Sequence, residues 1–183
     1  MNQELLSFLT EAVKAASGEG RLIDERELAE ASSRHFSETV EILPSQVREA
    51  LASADPKQIG RFDGAEVRRY YDRSQMADSY AETLNLIEEG NTPRMIAETV
   101  RTNARVYPRP TMIDEFRGAP YKLNPEELTV ICAKLAEDDG EYSDIERVDA
   151  SNGDSYLYST SHLSTPRAQY LAEWESVEQL ENQ

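Results

Sequence analysis

Apolar residues recur at helical spacing over residues 3–17, where Leu5, Leu9, Ala12, Val13 and Ala16 share one side. The Gly18-Glu19-Gly20 segment ends that helix. A second helix starts at Asp24, an N-cap residue with Glu25 and Glu27 in the first turn, and runs through Leu28, Ala31 and Phe36. Pro44-Ser45 opens a third through Val47, Ala50 and Leu51, closed by Asp55-Pro56. The period then changes from helical to alternating over 58–71, around Asp63-Gly64, a dipeptide that favours tight turns between antiparallel strands.

The order returns in the second half. Residues 79–90 predict a short helix, and Thr92-Pro93 starts another through Ile96, Val100 and Ala104. Tyr107-Pro108-Arg109-Pro110 is extended, because residues before proline avoid the helical region. A short helix is expected at 111–117. Asn124-Pro125-Glu126-Glu127 begins a longer one with Leu128, Ile131, Cys132 and Leu135 on its apolar face. A second hairpin signal spans 143–158 around Asn152-Gly153, and Ser164-Thr165-Pro166 starts a last helix carrying Tyr170, Leu171, Trp174 and Val177. The predicted class is α+β, mainly helical, with three helices plus a hairpin occurring twice and an amphipathic helix at the end. The polar stretch 72–80 divides the chain into domains at 1–74 and 75–163, followed by the helical segment 164–183.

Helices followed by such hairpins resemble the winged-helix superfamily, here as a tandem pair. The resemblance is one of element order, not of residue-for-residue repetition. It implies that the third helix of each unit, 45–54 and 125–138, would enter a DNA major groove while the hairpin touches the backbone.

Charge works against that implication. The 35 acids and 19 bases give a net charge of −16, which repels polyanions wherever bases are not concentrated. The first candidate groove helix has one base, Arg48, beside Glu49; the second has Lys134 against Glu126, Glu127, Glu137 and Asp138. Only residues 92–122 are net positive, with six bases and three acids, while 123–183 hold three bases and fourteen acids. The hairpins differ as well. Lys57, Arg61, Arg68, Arg69 and Arg73 cluster around the first, with Tyr70 and Tyr71 among them, a combination that suits phosphate contact and base stacking. Arg101 and Arg105 extend the basic set, sharing a helix face with Arg94. The second hairpin holds Asp144, Glu146, Asp149 and Asp154 with only Arg147.

Catalytic chemistry is not evident. His35 and His162 are the two histidines and lack metal-ligand spacing; Cys132 sits on an apolar helix face; Glu137-Asp138-Asp139-Gly140-Glu141 lacks calcium-loop spacing. We therefore expect no enzyme activity, no metal and no cofactor. A single cysteine excludes an internal disulfide framework and points to a reducing, cytoplasmic setting. The N-terminus reads as no signal peptide, and no apolar run approaches the roughly 20 residues of a membrane span.

The leading expectation is a non-catalytic protein acting through protein contacts as an assembly or regulatory subunit. Tyr170, Leu171, Trp174 and Val177 would then dock on their own domain or on a partner, including a second copy. In size and acidity such a chain is similar to the tandem winged-helix subunits that bind the kleisin of chromosome-condensing complexes. Two alternatives stay open: a DNA-binding transcription regulator using Arg48, the first hairpin and the central arginines, and an acidic inhibitor that mimics DNA.

Overall fold

A computed structural model describes residues 2–36, 41–64 and 66–178. The chain divides into two compact units, Met1–Glu89 and Gly90–Gln183. In the first, α1 (Asn2–Gly18), β1 (Ile23–Asp24), α2 (Glu25–Phe36) and α3 (Pro44–Leu51) precede the hairpin β2 (Ile59–Asp63) and β3 (Arg68–Asp72), and α4 (Asp78–Glu88) follows. The second repeats that order. It has α5 (Thr92–Val106), β4 (Thr111–Met112), a 3-10 turn (Ile113–Arg117), α6 (Pro125–Ala136), β5 (Ile145–Asp149), β6 (Ser155–Ser159) and α7 (Thr165–Glu173), which continues as a π turn, Trp174–Glu178.

Each unit holds an antiparallel three-stranded sheet with its last strand in the centre, ordered β1-β3-β2 and β4-β6-β5. The edge strands β1 and β4 are additions to the predicted hairpins, and β4 occupies the start of the helix expected at 111–117.

Alternation along the central strand sends neighbouring side chains to opposite faces. Tyr70 joins Leu9, Val13, Leu28, Val47 and Leu51, so α1, α2 and α3 cover that face. Tyr71 points the other way, with Leu22, Met76 and Ala81 of the opposite layer, where α4 begins. Each fully buried Leu or Val contributes about 1.5–3 kcal/mol relative to leaving it exposed. In α2 the buried face is Leu28, Ala29 and Ser32, turned by one position from the expected Leu28, Ala31 and Phe36. Asp24 caps this helix through Oδ1, which accepts from Arg26 N at 2.7 Å and Glu27 N at 2.8 Å. Asn124 does the same for α6, accepting from Glu127 N at 2.7 Å.

The placement of α4 corrects the expected boundary at 74/75. Tyr71 Oη donates to Asp78 Oδ1 at 2.8 Å, and Arg69 reaches Asn85 at 3.2 Å and Glu88 at 2.5 Å. These bonds make α4 the closing helix of the first unit. By the same logic the described part of the last segment, 164–178, belongs with the second unit: Ala168 and Ala172 of α7 pack with Tyr156, Tyr158 and Val148 of the second sheet. The two closing helices are equivalent.

The hairpin connections are longer than the two-residue turns that Asp63-Gly64 and Asn152-Gly153 suggest, spanning 64–67 and 150–154. Gly153 takes the left-handed conformation at φ 97°. Gly64 does not; a Cβ there would lie 2.7 Å from the carbonyl oxygen of Val67, so close backbone approach requires the glycine. Among the described residues no helix is long and apolar enough to cross a membrane.

Candidate interaction surfaces

The bases expected to contact phosphate are largely spoken for. Arg48 Nη2 and Nε donate to Glu25 at 2.7 and 3.1 Å, and Glu25 is itself buried. Asp63 pairs with Arg68 and lies 4.0 Å from Arg61. Arg69 is held by Glu88, and Arg73 by Asp78. In the second unit Arg101 donates to Asp144, Glu98 and the carbonyl oxygen of Glu141. Of the eight candidates, only Lys57 and Arg105 lack an ion pair among the described residues.

Tyr70 and Tyr71 also depart from expectation. Both are core residues, 2% and 3% exposed, so neither can stack on a base. Each face of the first sheet is already covered by helices, which the two-sided alternation of aromatic and basic residues on β3 concealed. Burial, with Asp78 as hydrogen-bond acceptor, pushes the Tyr71 phenol up to about 12.

Helix α7 docks through small residues instead of its large ones. Ala168, Ala172 and Ser176 form the buried line, and Ser176 Oγ lies 2.6 Å from Tyr156 Oη. The rings of Tyr156 and Tyr158 fill the space beneath, leaving room for alanine-sized side chains. Leu171 and Val177 are therefore half-buried, while Tyr170 and Trp174 stay 52% and 42% exposed. The guanidinium of Arg167 lies 5.5 Å from the Tyr170 ring centroid. Of the four candidate contact residues, the two aromatics, one turn apart, remain available.

Aromatic clustering on the first unit was not anticipated. Phe8 stacks on His35 with ring centroids 4.3 Å apart, and Phe36 meets both rings edge-on at 5.7 and 4.9 Å. They line a shallow groove of about 450 Å³ with Glu4, Ser7 and Glu11. The signal that could have found it is Glu4, Phe8 and Glu11 at spacings of four and three, which puts all three on one helix face.

Metal and nucleophile chemistry gain no support. Among the described residues no group of three His, Cys, Asp or Glu side chains could hold a metal ion. Asp138, in the acidic run, has a structural job: its Oδ2 accepts from Gly140 N at 3.0 Å and Tyr142 N at 2.8 Å. Cys132 borders a cavity of about 390 Å³ in the second unit together with Arg147, which is tied to Asp149 and Ser155. Burial pushes the Cys132 thiol up to about 11, the wrong direction for a nucleophile. A thiol-disulfide reagent at pH 7.5 is expected to label Cys132 on the order of a hundredfold more slowly than an exposed cysteine, with full labelling on denaturation. Rapid labelling of the folded protein would contradict this burial.

Residues 88–180, which take in nearly all of the second unit, match the model of the YdhW C-terminal domain. The chain is also similar to Uncharacterized protein YdhW of Escherichia coli (strain K12), at 26% identity over 179 residues, covering 98% of this chain and 81% of that relative. No solved structure matches. Through its second unit, the chain belongs to the YdhW C-terminal domain family.

Proposed function

We propose that the chain is a non-catalytic tandem winged-helix protein that works through protein contacts, as an assembly or regulatory subunit. The element order in each unit supports the fold reading: helix, strand, helix, helix, then a hairpin whose second strand is central. One observation carries the choice of partner class. Six of the eight bases that could grip phosphate are occupied by the protein's own carboxylates, whereas the aromatic pair Tyr170 and Trp174 stands exposed. Binding a phosphate backbone would require breaking those pairs against a net charge of −16. Large aromatics, by contrast, are the side chains that anchor protein interfaces.

The test uses tagged full-length chain recovered from its host, and sedimentation of the purified protein for self-association. A stoichiometric partner or a dimer is expected, weakened at least about tenfold by the double substitution Tyr170→Ala/Trp174→Ala. Trp174 is the sole tryptophan, so its emission should shift when the contact forms. Salt-sensitive DNA binding without any protein contact would replace this reading with that of a transcription regulator.

A further inference from the structure

The cavity beside Cys132 is walled by β4 with the 3-10 turn after it, by α6 and by the hairpin β5–β6. Its volume of about 390 Å³ lies at the low end of the roughly 300–1,000 Å³ usual for ligand pockets, which suits a small guest. Part of the wall is apolar. Met112 and Ile113 face it with Cys132, whose thiol burial keeps protonated, so that it counts as a small hydrophobe. Arg147 supplies a fixed cation: its Nε donates to Asp149 Oδ1 and its Nη2 to Ser155 Oγ, both at 2.8 Å. The two N–H groups of Nη1 have no partner among the described residues. Asp154 supplies an anion. Its Oδ2 accepts from Asn152 Nδ2 at 2.8 Å and from Ser176 Oγ at 2.9 Å, while among the described residues Oδ1 accepts nothing and the carboxylate has no ion pair. Ser155, which holds Arg147, directly follows Asp154, so the two charges border the same stretch of wall. The other polar groups are used internally: Thr129 Oγ1 donates to Pro125 O, Ser155 Oγ donates to Asp149, and Asp114 pairs with Arg117.

Such walls select by charge. A plain anion at Arg147 would share the cavity with Asp154, and a plain cation at Asp154 would leave Nη1 unmatched. A neutral polyol would meet hydroxyls that are already bonded. A zwitterion with its two charges close together answers both residues, and a short apolar chain beside them covers Met112, Ile113 and Cys132. We infer that this cavity binds a free α-amino acid with a small apolar side chain, its carboxylate toward Arg147 and its ammonium toward Asp154. The site goes beyond the protein-contact reading and uses neither Tyr170 nor Trp174.

The test is a nuclear magnetic resonance titration of the full chain at pH 7 with L-valine, L-leucine and L-methionine. Two truncated forms of leucine accompany them: 4-methylpentanoate, which lacks the amine, and 3-methylbutan-1-amine, which lacks the carboxylate. At least one amino acid should saturate with a Kd of about 1 mM or tighter, moving the signals of 112–114, 129–132, 147 and 153–155. Each truncated form should bind at least about tenfold more weakly than leucine, because each forfeits one charge-assisted contact. Asp154→Asn should weaken the amino acid about tenfold and leave 4-methylpentanoate no weaker than before. Arg147→Gln should weaken the amino acid and 4-methylpentanoate alike. The truncated forms need no substitution, so the comparison holds even where a variant fails to fold. No saturation by any of the three amino acids up to about 10 mM would overturn the assignment. So would equal binding of leucine and 4-methylpentanoate, or shifts confined to other parts of the chain. The Tyr170→Ala/Trp174→Ala variant should bind the amino acid as the parent does, so failure at the cavity leaves the α7 surface standing, and failure at α7 leaves the cavity.

Discussion

Gly60→Ala is expected to destabilise the first unit by about 2 kcal/mol, although alanine is ordinarily the better residue in a strand. Replacing a strand glycine normally gains about 0.5–1 kcal/mol from reduced chain entropy. Here a Cβ would lie 2.2 Å from Cζ and 2.3 Å from Cε1 of Tyr71, whose ring crosses directly over the glycine. The ring has nowhere to go. It is stacked on Phe62 at 5.5 Å, its hydroxyl is bonded to Asp78 at 2.8 Å, and the Arg73 guanidinium lies 5.5 Å from its centroid. Overpacking of this kind costs about 1–3 kcal/mol, and losing the Tyr71–Asp78 bond adds about 1 kcal/mol. The loss therefore outweighs the entropic gain. Denaturant titration would measure the total, and hydrogen exchange should place the lost protection in β2, β3 and the start of α4. Tyr71→Leu removes the obstructing ring, so Gly60→Ala should cost markedly less in that background. Additive effects of the two substitutions would mean that the ring is not what forbids the side chain.

The second unit solves the same geometry differently. Tyr158 occupies on β6 the place that Tyr71 occupies on β3, and it is paired with Glu146 where Tyr71 is paired with Gly60. The Tyr158 hydroxyl donates to Glu146 and accepts, at 2.8 Å, from the hydroxyl of Thr165 at the start of α7, seven residues on, the spacing at which Tyr71 reaches Asp78. The backbone agrees as well. Arg73 N donates to Gln58 O and Thr160 N to Asp144 O, both at 2.8 Å, while Met76 N reaches Asp72 O and Leu163 N reaches Ser159 O. The repeat therefore extends to named residues, beyond the element order alone.

That correspondence shows what could be read from the chain and what could not. The long helices, their caps at Asp24 and Asn124, and both hairpins stand out because periodicity accumulates over many residues. A two-residue strand such as Ile23–Asp24 has no period to detect, and its pairing with Tyr70 and Arg69 is a tertiary fact. The polar stretch 72–80 reads as a linker and so separates the helix at 79–90 from the first unit. Yet Tyr71, Ser74 and the apolar Met76 recur as Tyr158, Ser161 and Leu163, a match visible once the register is known. For the surfaces, charge along the sequence could not reveal that Arg68, Arg69 and Arg73 meet Asp63, Glu88 and Asp78. Burial of Tyr70 and Tyr71 was hidden because both sides of β3 are covered.

In the second unit, the largest electrostatic effect is expected at Arg101 and Asp144. Arg101 Nε donates to both carboxylate oxygens of Asp144, at 3.2 and 3.1 Å, and Ser159 Oγ donates to Oδ2 at 2.6 Å. The pair joins α5 to the entry of β5, and its side chains are only 24% and 18% exposed. Water therefore screens it less than the pairs on the outer surface. A double-substitution cycle over Arg101→Ala and Asp144→Ala should give a coupling of about 2 kcal/mol, within the range of charge-assisted hydrogen bonds. The pH dependence fixes the sign independently. Arg101 first, with help from Ser159, holds the Asp144 carboxyl below its ordinary value. Its stabilising contribution is complete above the unfolded-state value of about 3.9 and is lost as pH falls through the lower folded value. Asp149, held down by Ser155 and Arg147, adds in the same direction. Denaturation midpoints of the parent should thus fall steeply below pH 4. In Arg101→Ala the unit starts less stable at pH 7 and loses less over the same acid range, so the two curves converge. Parallel curves would show that Asp144 owes its depressed value to something other than Arg101.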